Sequence, residues 1–375
     1  MNAPLTPATP RLEYLDGLRG WAALMVVLSH LLGQFARHNS DLYSSRLVRL
    51  VSDGHFAVLV FFVLSGTALS LRYTRRPQPL ALGWLVAARY VRIVVPIAAT
   101  TLIIFALMKL KCFGGADVAA AAHSPILLGP RHDMSTSLLD VASFSFFDVL
   151  FRYDTAHSFN TSLWTMPVEF DGSLLIYALL FAMSRVPSLA RHHRVAIGGA
   201  TAVACLLAAK GLLACFFGGY VLAELLYASP QAHAWGRRGA AALIALAAVL
   251  LAVHGELDDR DGALLATGVV MSVAFWPVLS RVFSSSVSRW LGAISFPLYL
   301  IHAAVIDCTG RLFLALEGAG LTAATATHVI VAIALPASLL AGRILMPVER
   351  CSIRWSHAVG KYRFGTRALA TSPPR

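Results

Sequence analysis

GWAALMVVLSHLLGQFA, residues 20–36, decides the class of fold, because it contains no Asp, Glu, Lys or Arg. A helix needs about 20 mainly apolar residues to cross a bilayer. Similar runs recur along the chain, separated by short polar breaks. The predicted spans are residues 20–36, 55–71, 93–109, 163–183, 195–209, 211–228, 239–254, 262–280, 290–306 and 325–346. The sequence therefore predicts an all-α integral membrane protein, a polytopic bundle of about ten transmembrane helices.

Composition excludes the soluble classes, since hydrophobic residues make up 57% of the chain and charged residues only 13%. The net charge is +12, but the basic residues flank apolar runs and form no continuous patch. We therefore expect membrane lipid as a partner and no nucleic acid. The five cysteines form no CxxC pair, which favours small buried side chains and predicts no metal site.

Charge distribution predicts the topology. Lys and Arg concentrate in residues 72–92, 185–194 and 347–375, and the positive-inside rule places such segments in the cytoplasm. The acidic cluster formed by Glu256, Asp258, Asp259 and Asp261 falls on the other side. Both termini are thus expected inside the cell, and the first run should be retained as a signal anchor.

The expected organisation has three parts: a cytoplasmic tail of residues 1–19, a membrane domain of residues 20–346 and a cytoplasmic tail of residues 347–375. A long outer loop, residues 110–162, interrupts the membrane domain. Loops of this length are usually functional or disordered, so this one is a candidate for binding substrate or closing a cavity.

Ionisable side chains at membrane depth are costly and therefore mark candidate sites. At about 1.5 Å rise per residue, His30 lies roughly 16 Å from the cytoplasmic end of its helix. Glu169 and Ser65 are placed roughly 8 Å and 15 Å from the outer side. Ser65, next to Gly66, could instead be a small residue that permits close helix packing. Asp171, Glu224 and Gln34 receive no assignment.

Three polar residues of the ninth predicted span, Ser295, Tyr299 and His302, follow the spacing i, i+4, i+7 and share one helical face. They are predicted to line a cavity with His30. Tyr299 and His302 could equally be interhelical hydrogen-bonding residues with a structural role.

The polar set suits base-assisted acyl transfer. A neutral imidazole at His30 can take a proton from an attacking hydroxyl, and Glu169 can orient the ring. Arg89 and Arg92, one turn apart, suit the phosphates of a nucleotide-like donor such as coenzyme A. Arg72, Arg75 and Arg76 lie in the same cytoplasmic segment, where Arg75 and Arg76 are better explained as topology signals.

Several familiar motifs do not support another chemistry. HAAVID, residues 302–307, has an H-x4-D spacing, but five positions on one helix turn the two side chains about 140° apart. The chain contains no GxSxG, Walker A, HExxH or GxGxxG pattern. A serine hydrolase, a P-loop pump, a zincin and a Rossmann site are therefore not predicted.

Five motifs together resemble the membrane acyltransferase 3 family, over Arg11 to about Pro347. In order, they are EYLDGLRGWAALMVVLSH, FFVLSG, RYVR, LWTMPVEF and GAISFPLYLIH. The resemblance implies an O-acyltransferase, transferring groups other than amino-acyl groups, that moves acetyl from acetyl-CoA to surface polysaccharides or related acceptors.

The family's Arg-x10-His pattern falls on Arg19 and His30, its RxxR on Arg89 and Arg92, and its glutamate on Glu169. Its Ser and Tyr-x-x-His pattern falls on Ser295, Tyr299 and His302. Relatives often carry a second acid directly after this glutamate, whereas this chain has Phe170 there and its next acid at Asp171, so the role of that acid is not carried over.

The resemblance implies no permanently bound cofactor, because acyl-CoA, expected to be acetyl-CoA, is the donor substrate. Implied partners are a carbohydrate or glycolipid acceptor and polysaccharide-assembly proteins, in the bacterial inner membrane. A transporter or flippase is the rival interpretation, with the same residues lining a substrate path. A membrane-bound O-acyltransferase of another fold is a second rival.

Overall fold

The computed structural model describes residues 12–75, 82–124, 136–228, 230–254 and 258–361, and these ranges contain helices and no strand. The predicted all-α fold is confirmed. The first helices are α1 Glu13–Leu28, α2 Arg46–Val51, α3 Gly54–Arg75, α4 Leu82–Lys109, α5 Gly115–Ala121, α6 Leu138–Ser143, α7 Val149–Phe151, α8 Thr165–Ser184 and α9 Arg191–Leu207. The rest are α10 Gly211–Leu226, α11 Pro230–His254, α12 Asp259–Phe275, α13 Pro277–Phe283, α14 Ser286–Cys308, α15 Gly310–Gly318, α16 Ala323–Ile344 and α17 Met346–Lys361.

Within the described residues, seven helical stretches are long and apolar enough to cross a membrane. The number rises to eight if α12 and α13, which meet at a bend of 95°, form one broken span. The predicted number of about ten is not confirmed, because α9 and α10 are only 17 and 16 residues long. The inside location of both termini stays a prediction.

Helices α1 and α14 pack at backbone distance. A Cβ atom placed on Gly20 would lie 2.3 Å from the backbone nitrogen of Gly292, and one on Gly292 would lie 2.4 Å from the carbonyl oxygen of Asp16. Only glycine permits this approach. The contact holds the two helices that carry His30 and the Ser295, Tyr299 and His302 face side by side.

Helices α3 and α10 make a second close contact and run in the same direction. The carbonyl oxygen of Asp259 lies 2.2 Å from a Cβ built on Gly211, at the start of α10, while Nε2 of His55, at the start of α3, lies 2.7 Å from Oδ1 of Asp259. Further along, a Cβ on Gly219 would meet Val63 O at 2.1 Å. Helix α10 therefore crosses much of the depth of α3, although it is short.

The long predicted outer loop is folded where the structure describes it. Phe144 and Phe159 are buried with ring centroids 5.3 Å apart. The Asn160 side chain donates a 2.7 Å hydrogen bond to the carbonyl oxygen of Leu300 on α14. This segment thus packs against the interior of α14, while residues 125–135 lie outside the described residues and the loop's expected substrate role stays a prediction.

Helix α17 follows α16 directly and lies in the segment predicted as a cytoplasmic tail. The Ser352 hydroxyl donates a 2.9 Å hydrogen bond to the carbonyl oxygen of Arg92 and is completely buried. Residues 346–361 are therefore a helix packed against α4. Their cytoplasmic location stays a prediction.

Candidate active site

A cavity of about 510 Å³ lies between helices α1, α3, α4, α8, α14 and α17. This volume is within the ~300–1,000 Å³ range of small-molecule sites. Its charged lining residues are Asp16, Arg19, Arg89, Arg92, Glu169, Glu349 and Arg350. Its polar neutral lining residues include Ser65, Thr165, Ser295 and Tyr299. The structure thus brings seven of the nine predicted site residues to one cavity, with His30 and His302 behind its wall.

Glu169 lines the cavity and connects three helices. Its carboxylate accepts a 2.6 Å hydrogen bond from Ser65 and forms an ion pair with Arg89. Arg89 Nε also donates to Ser173 Oγ at 2.9 Å, one turn along α8 from Glu169. The side chains of Arg89 and Glu169 are only 17% and 12% exposed. Three helices, α3, α4 and α8, are therefore joined at this carboxylate.

Arg92 belongs to a second ion pair, with Glu349 of α17. The two groups are bidentate, with Arg92 Nη1 and Glu349 Oε2 3.0 Å apart. The guanidinium also lies over the Phe296 ring, 5.6 Å from its centroid. Arg92 is thereby held at the cavity between α14 and α17.

Arg19 is the least constrained of the three predicted arginines. Its nearest carboxylate is Asp16, three residues earlier on α1, at 3.8 Å. At this distance the pair is an ion pair without a short hydrogen bond. Arg19 therefore remains able to bind an incoming anion.

His30 lies in a π-helical segment, Ser29–Phe35, that continues α1. Its Nδ1 is 2.9 Å from Oε1 of Gln34. Because the amide oxygen of Gln34 can only accept, Nδ1 of His30 donates this bond. Nε2 is then the basic nitrogen of the neutral ring. Segments of π-helix inside α-helices are frequent at functional sites.

His302 is completely buried, and its ring centroid lies 5.0 Å from that of His30. Its Nδ1 donates to the carbonyl oxygens of Tyr299 at 2.8 Å and Leu298 at 3.2 Å. Because carbonyl oxygens only accept, Nδ1 carries the proton and Nε2 of the neutral ring is an acceptor. In the described part of the chain this Nε2 has no hydrogen-bond partner.

Tyr299 connects the cavity to the two histidines. Its ring lines the cavity, and its centroid lies 6.0 Å from that of His302 on the same helix. The hydroxyl donates to the carbonyl oxygen of Ser162 and is 2.7 Å from Thr165 Oγ1. Ser295, also buried, donates to the carbonyl oxygen of Gly292 at 2.9 Å.

The structure changes one predicted partnership. Glu169 was expected to orient His30, but its carboxylate bonds with Arg89 and Ser65, whereas His30 bonds with Gln34. Two side chains can lie at the same depth in the membrane without touching. Depth does not fix the direction in which each side chain points from its helix. Gln34 therefore takes the orienting position expected of Glu169.

Sequence reasoning missed several residues of the site. Gln34 could have been found, since i+4 spacing puts it on the same face as His30. Glu349 and Arg350 lie beyond the last predicted span and gave no signal. Of the other unassigned residues, Asp171 is exposed, and the completely buried Glu224 accepts a 3.1 Å hydrogen bond from Arg194. Arg76 and the side chains of Arg72 and Arg75 lie outside the described residues.

Comparison with known families decides between the alternative interpretations. The family model of an acyltransferase domain, acyltransferase 3, matches residues 12–345. The chain belongs to the acyltransferase 3 family. The predicted family and the class of enzyme, an acyltransferase, are confirmed, and neither a transporter nor an acyltransferase of another fold is required.

Two fungal proteins are similar to this acyltransferase over most of its length. The O-acetyltransferase PaAT-1 of Phomopsis amygdali is 26% identical, over 95% of this chain and 88% of the relative. The acyltransferase clz18 of Cochliobolus lunatus is 22% identical, over 83% of this chain and 86% of the relative. No solved structure matches the chain.

Family membership and the apolar helices together make this acyltransferase a multi-pass membrane protein. Its cavity is lined by four arginines and by Tyr299. His302, whose Nε2 has no hydrogen-bond partner among the described residues, and His30, which bonds to Gln34, lie beside Tyr299. Such an arrangement can bind an anionic donor and accept a proton nearby.

Proposed function

We propose that the protein transfers an acyl group, specifically acetyl, from cytoplasmic acyl-CoA to a hydroxyl of a carbohydrate or glycolipid acceptor. The observation that carries the proposal is a single cavity that joins Arg19, Arg89 and Arg92 to Tyr299, whose ring neighbours the histidine pair. Guanidinium groups suit phosphates, and neutral imidazoles suit proton transfer at neutral pH. The names of the two relatives, an O-acetyltransferase and an acyltransferase, support the same reaction.

In the proposed reaction His30 is the general base. The acceptor oxygen attacks the thioester carbonyl carbon as His30 Nε2 takes the hydroxyl proton; the C–S bond then breaks, an ester forms and the proton passes to the departing thiolate. General base catalysis typically contributes about 10²–10⁴-fold. Gln34 keeps the His30 ring in the required tautomer through the 2.9 Å bond to Nδ1.

The other site residues bind and position. Arg19, Arg89 and Arg92 bind the donor, with Glu169 and Ser65 holding Arg89 in place. Ser295 and Tyr299 shape the cavity wall, and His302 packs against His30. Tyr299 lines the cavity and its ring neighbours that of His302, which in turn lies beside the His30 ring.

Several finer parts of the proposal rest on the sequence resemblance. These are the bacterial inner membrane, a surface polysaccharide as acceptor and polysaccharide-assembly proteins as partners. Both relatives come from fungi, so they support transfer to an acceptor without supporting a bacterial setting. A carbohydrate or glycolipid hydroxyl is therefore the acceptor class that we propose.

The proposal is tested by replacing His30 in purified protein reconstituted into vesicles that contain a glycolipid acceptor fraction. His30→Ala should retain acetyl-CoA binding but lose acetyl transfer by about 10²-fold or more. His38→Ala is the matched control, because His38 is an exposed histidine eight residues along the same segment. Full transfer by the His30→Ala protein would contradict its assignment as base.

A further inference from the structure

We propose that Arg350 of α17 binds a phosphate of the acyl-CoA donor, which makes the C-terminal helix part of the donor site. This inference rests on the proposed function and adds a residue that the family comparison does not cover. The matched acyltransferase region ends at residue 345, whereas α17 spans Met346–Lys361.

One face of α17 forms part of the cavity wall. Met346, Glu349, Arg350 and Ile353 all line the cavity, and their spacing of i, i+3, i+4 and i+7 places them on a single helical face. Arg350 is exposed, while Glu349 beside it is only 13% exposed. Arg350 therefore lies where the cavity meets solvent.

The charges around the cavity leave Arg350 without a neutralising partner. Four arginines and three carboxylates line it. Asp16, Glu169 and Glu349 pair with Arg19, Arg89 and Arg92, respectively. Among the described residues, Arg350 forms no ion pair or hydrogen bond, so its charge is available to an anion.

Glu349 and Ser352 fix the position of this arginine. The Glu349 carboxylate binds Arg92 with two contacts, and Ser352 Oγ donates to the Arg92 carbonyl oxygen at 2.9 Å. The residue directly before Arg350 and the residue two positions after it are thus attached to α4. Glu349 is a positioning residue in this arrangement, because it holds both Arg92 and the α17 turn that carries Arg350.

The location at the solvent-exposed edge suits the charged end of the donor. Coenzyme A carries its phosphates at one end and its thioester at the other, so the acyl group can point toward Tyr299 while the phosphates remain near solvent. A guanidinium binds phosphate oxygens through several donors at once.

The test is calorimetric titration of acetyl-CoA into the full chain in nanodiscs at low and high salt. At low salt, Arg350→Ala should weaken binding roughly fivefold, the upper range for an exposed charge pair. The difference should largely vanish near ~1 M salt, where the Debye length is about 3 Å. Arg350→Lys, which keeps a positive charge, should recover part of the affinity.

Arg354→Ala is the matched control, because Arg354 is an exposed arginine one turn further along α17 that does not line the cavity. It should bind acetyl-CoA like the wild type at both salt concentrations. Equal effects of the two substitutions, or a loss at Arg350→Ala that persists at high salt, would overturn the assignment of Arg350 and leave acyl-CoA as donor. Failure of the wild type to bind acetyl-CoA would overturn the proposed function as well.

Discussion

Glu169 and Arg89 are both largely buried, and each would be left with an uncompensated charge if the other were removed. Breaking such a pair costs about 3–5 kcal/mol, whereas removing both charges can be nearly neutral. The pair joins α4 to α8 at the cavity. Its first effect is therefore on the structure of the donor site, and its effect on catalysis follows from that.

A double-mutant cycle measures this coupling. Glu169→Ala and Arg89→Ala should each lower the free energy of unfolding by about 3 kcal/mol, and the double variant should lose clearly less than the sum. Thermal or denaturant unfolding in detergent gives the four values. Strictly additive losses would show that the two side chains are not coupled.

Gln34 should affect catalysis without affecting donor binding, because it bonds to His30 and does not line the cavity. Gln34→Ala frees the imidazole to adopt the wrong tautomer or orientation, and we expect kcat to fall by about tenfold while KM for acetyl-CoA stays constant. The exposed Gln231→Ala on α11 is the control. A rise in KM with an unchanged kcat would place Gln34 in the donor site instead.

The sequence predicts which residues of the site are polar and how deep they lie, and much less about which of them touch. Arg89 and Glu169 were found from spacing and depth, Arg19 was found from the family resemblance, and all three line one cavity. The partner of His30 was predicted wrongly, because hydrophobic periodicity does not fix the rotation of one helix against another. Contacts such as Thr165 with Tyr299 join a helix start to a distant helix and leave no local pattern.

Among the helices, the contact between α1 and α14 determines how closely His30 and His302 approach each other. A Cβ at position 20 would be 2.3 Å from the backbone of α14, whereas one at Gly199 on α9 would meet nothing within 4 Å. Replacing glycine by alanine is therefore expected to change the stability of the protein in opposite directions at these two positions.

Gly20→Ala should destabilise the protein by roughly 1–3 kcal/mol, because the added methyl group overpacks two backbones. Gly199→Ala should be neutral or stabilise slightly, by up to about 1 kcal/mol, since alanine reduces the entropy of the unfolded chain. Thermal unfolding of both variants against the wild type checks the contrast. Similar stability of the two variants would mean that α1 and α14 are further apart than the structure shows.

The sequence predicted where helices form better than it predicted which of them cross the membrane. All ten predicted apolar runs are at least partly helical in the structure, but α9 and α10 are too short and α12 ends in a 95° bend before α13. Helix α10 is buried against α3, and such burial produces the same apolar pattern as contact with lipid. Helix α17 was missed because its mixed polar and apolar sequence resembles a solvated tail.

For the whole molecule, the parallel arrangement of α3 and α10 fixes which ends share a side. Gly211 lies against Asp259, which bonds His55. The turn before α10 therefore lies on the side where α3 begins. Together with the positive-inside rule, this predicts that Lys210 lies outside the cell and that the exposed Val186, between α8 and α9, lies inside.

Cysteine labelling tests the topology directly. In a background without the five native cysteines, Lys210→Cys and the exposed loop variant Leu139→Cys should react with a membrane-impermeant reagent in intact cells. Val186→Cys should react only after permeabilisation. Labelling of positions 139 and 186 from the same side would refute the predicted arrangement and with it a cytoplasmic donor site.

The most direct measurement is titration of acetyl-CoA into the purified protein in nanodiscs. We expect the wild type to bind with micromolar affinity and Arg89→Ala/Arg92→Ala to bind at least about tenfold more weakly, since each charge-assisted bond is worth about 1.5–3 kcal/mol. Size-exclusion chromatography confirms folding, and Arg185→Ala/Arg343→Ala, two exposed arginines outside the cavity, is the control. Absence of binding by the wild type, or unchanged binding by the cavity variant, would contradict an acyl-CoA site at these arginines.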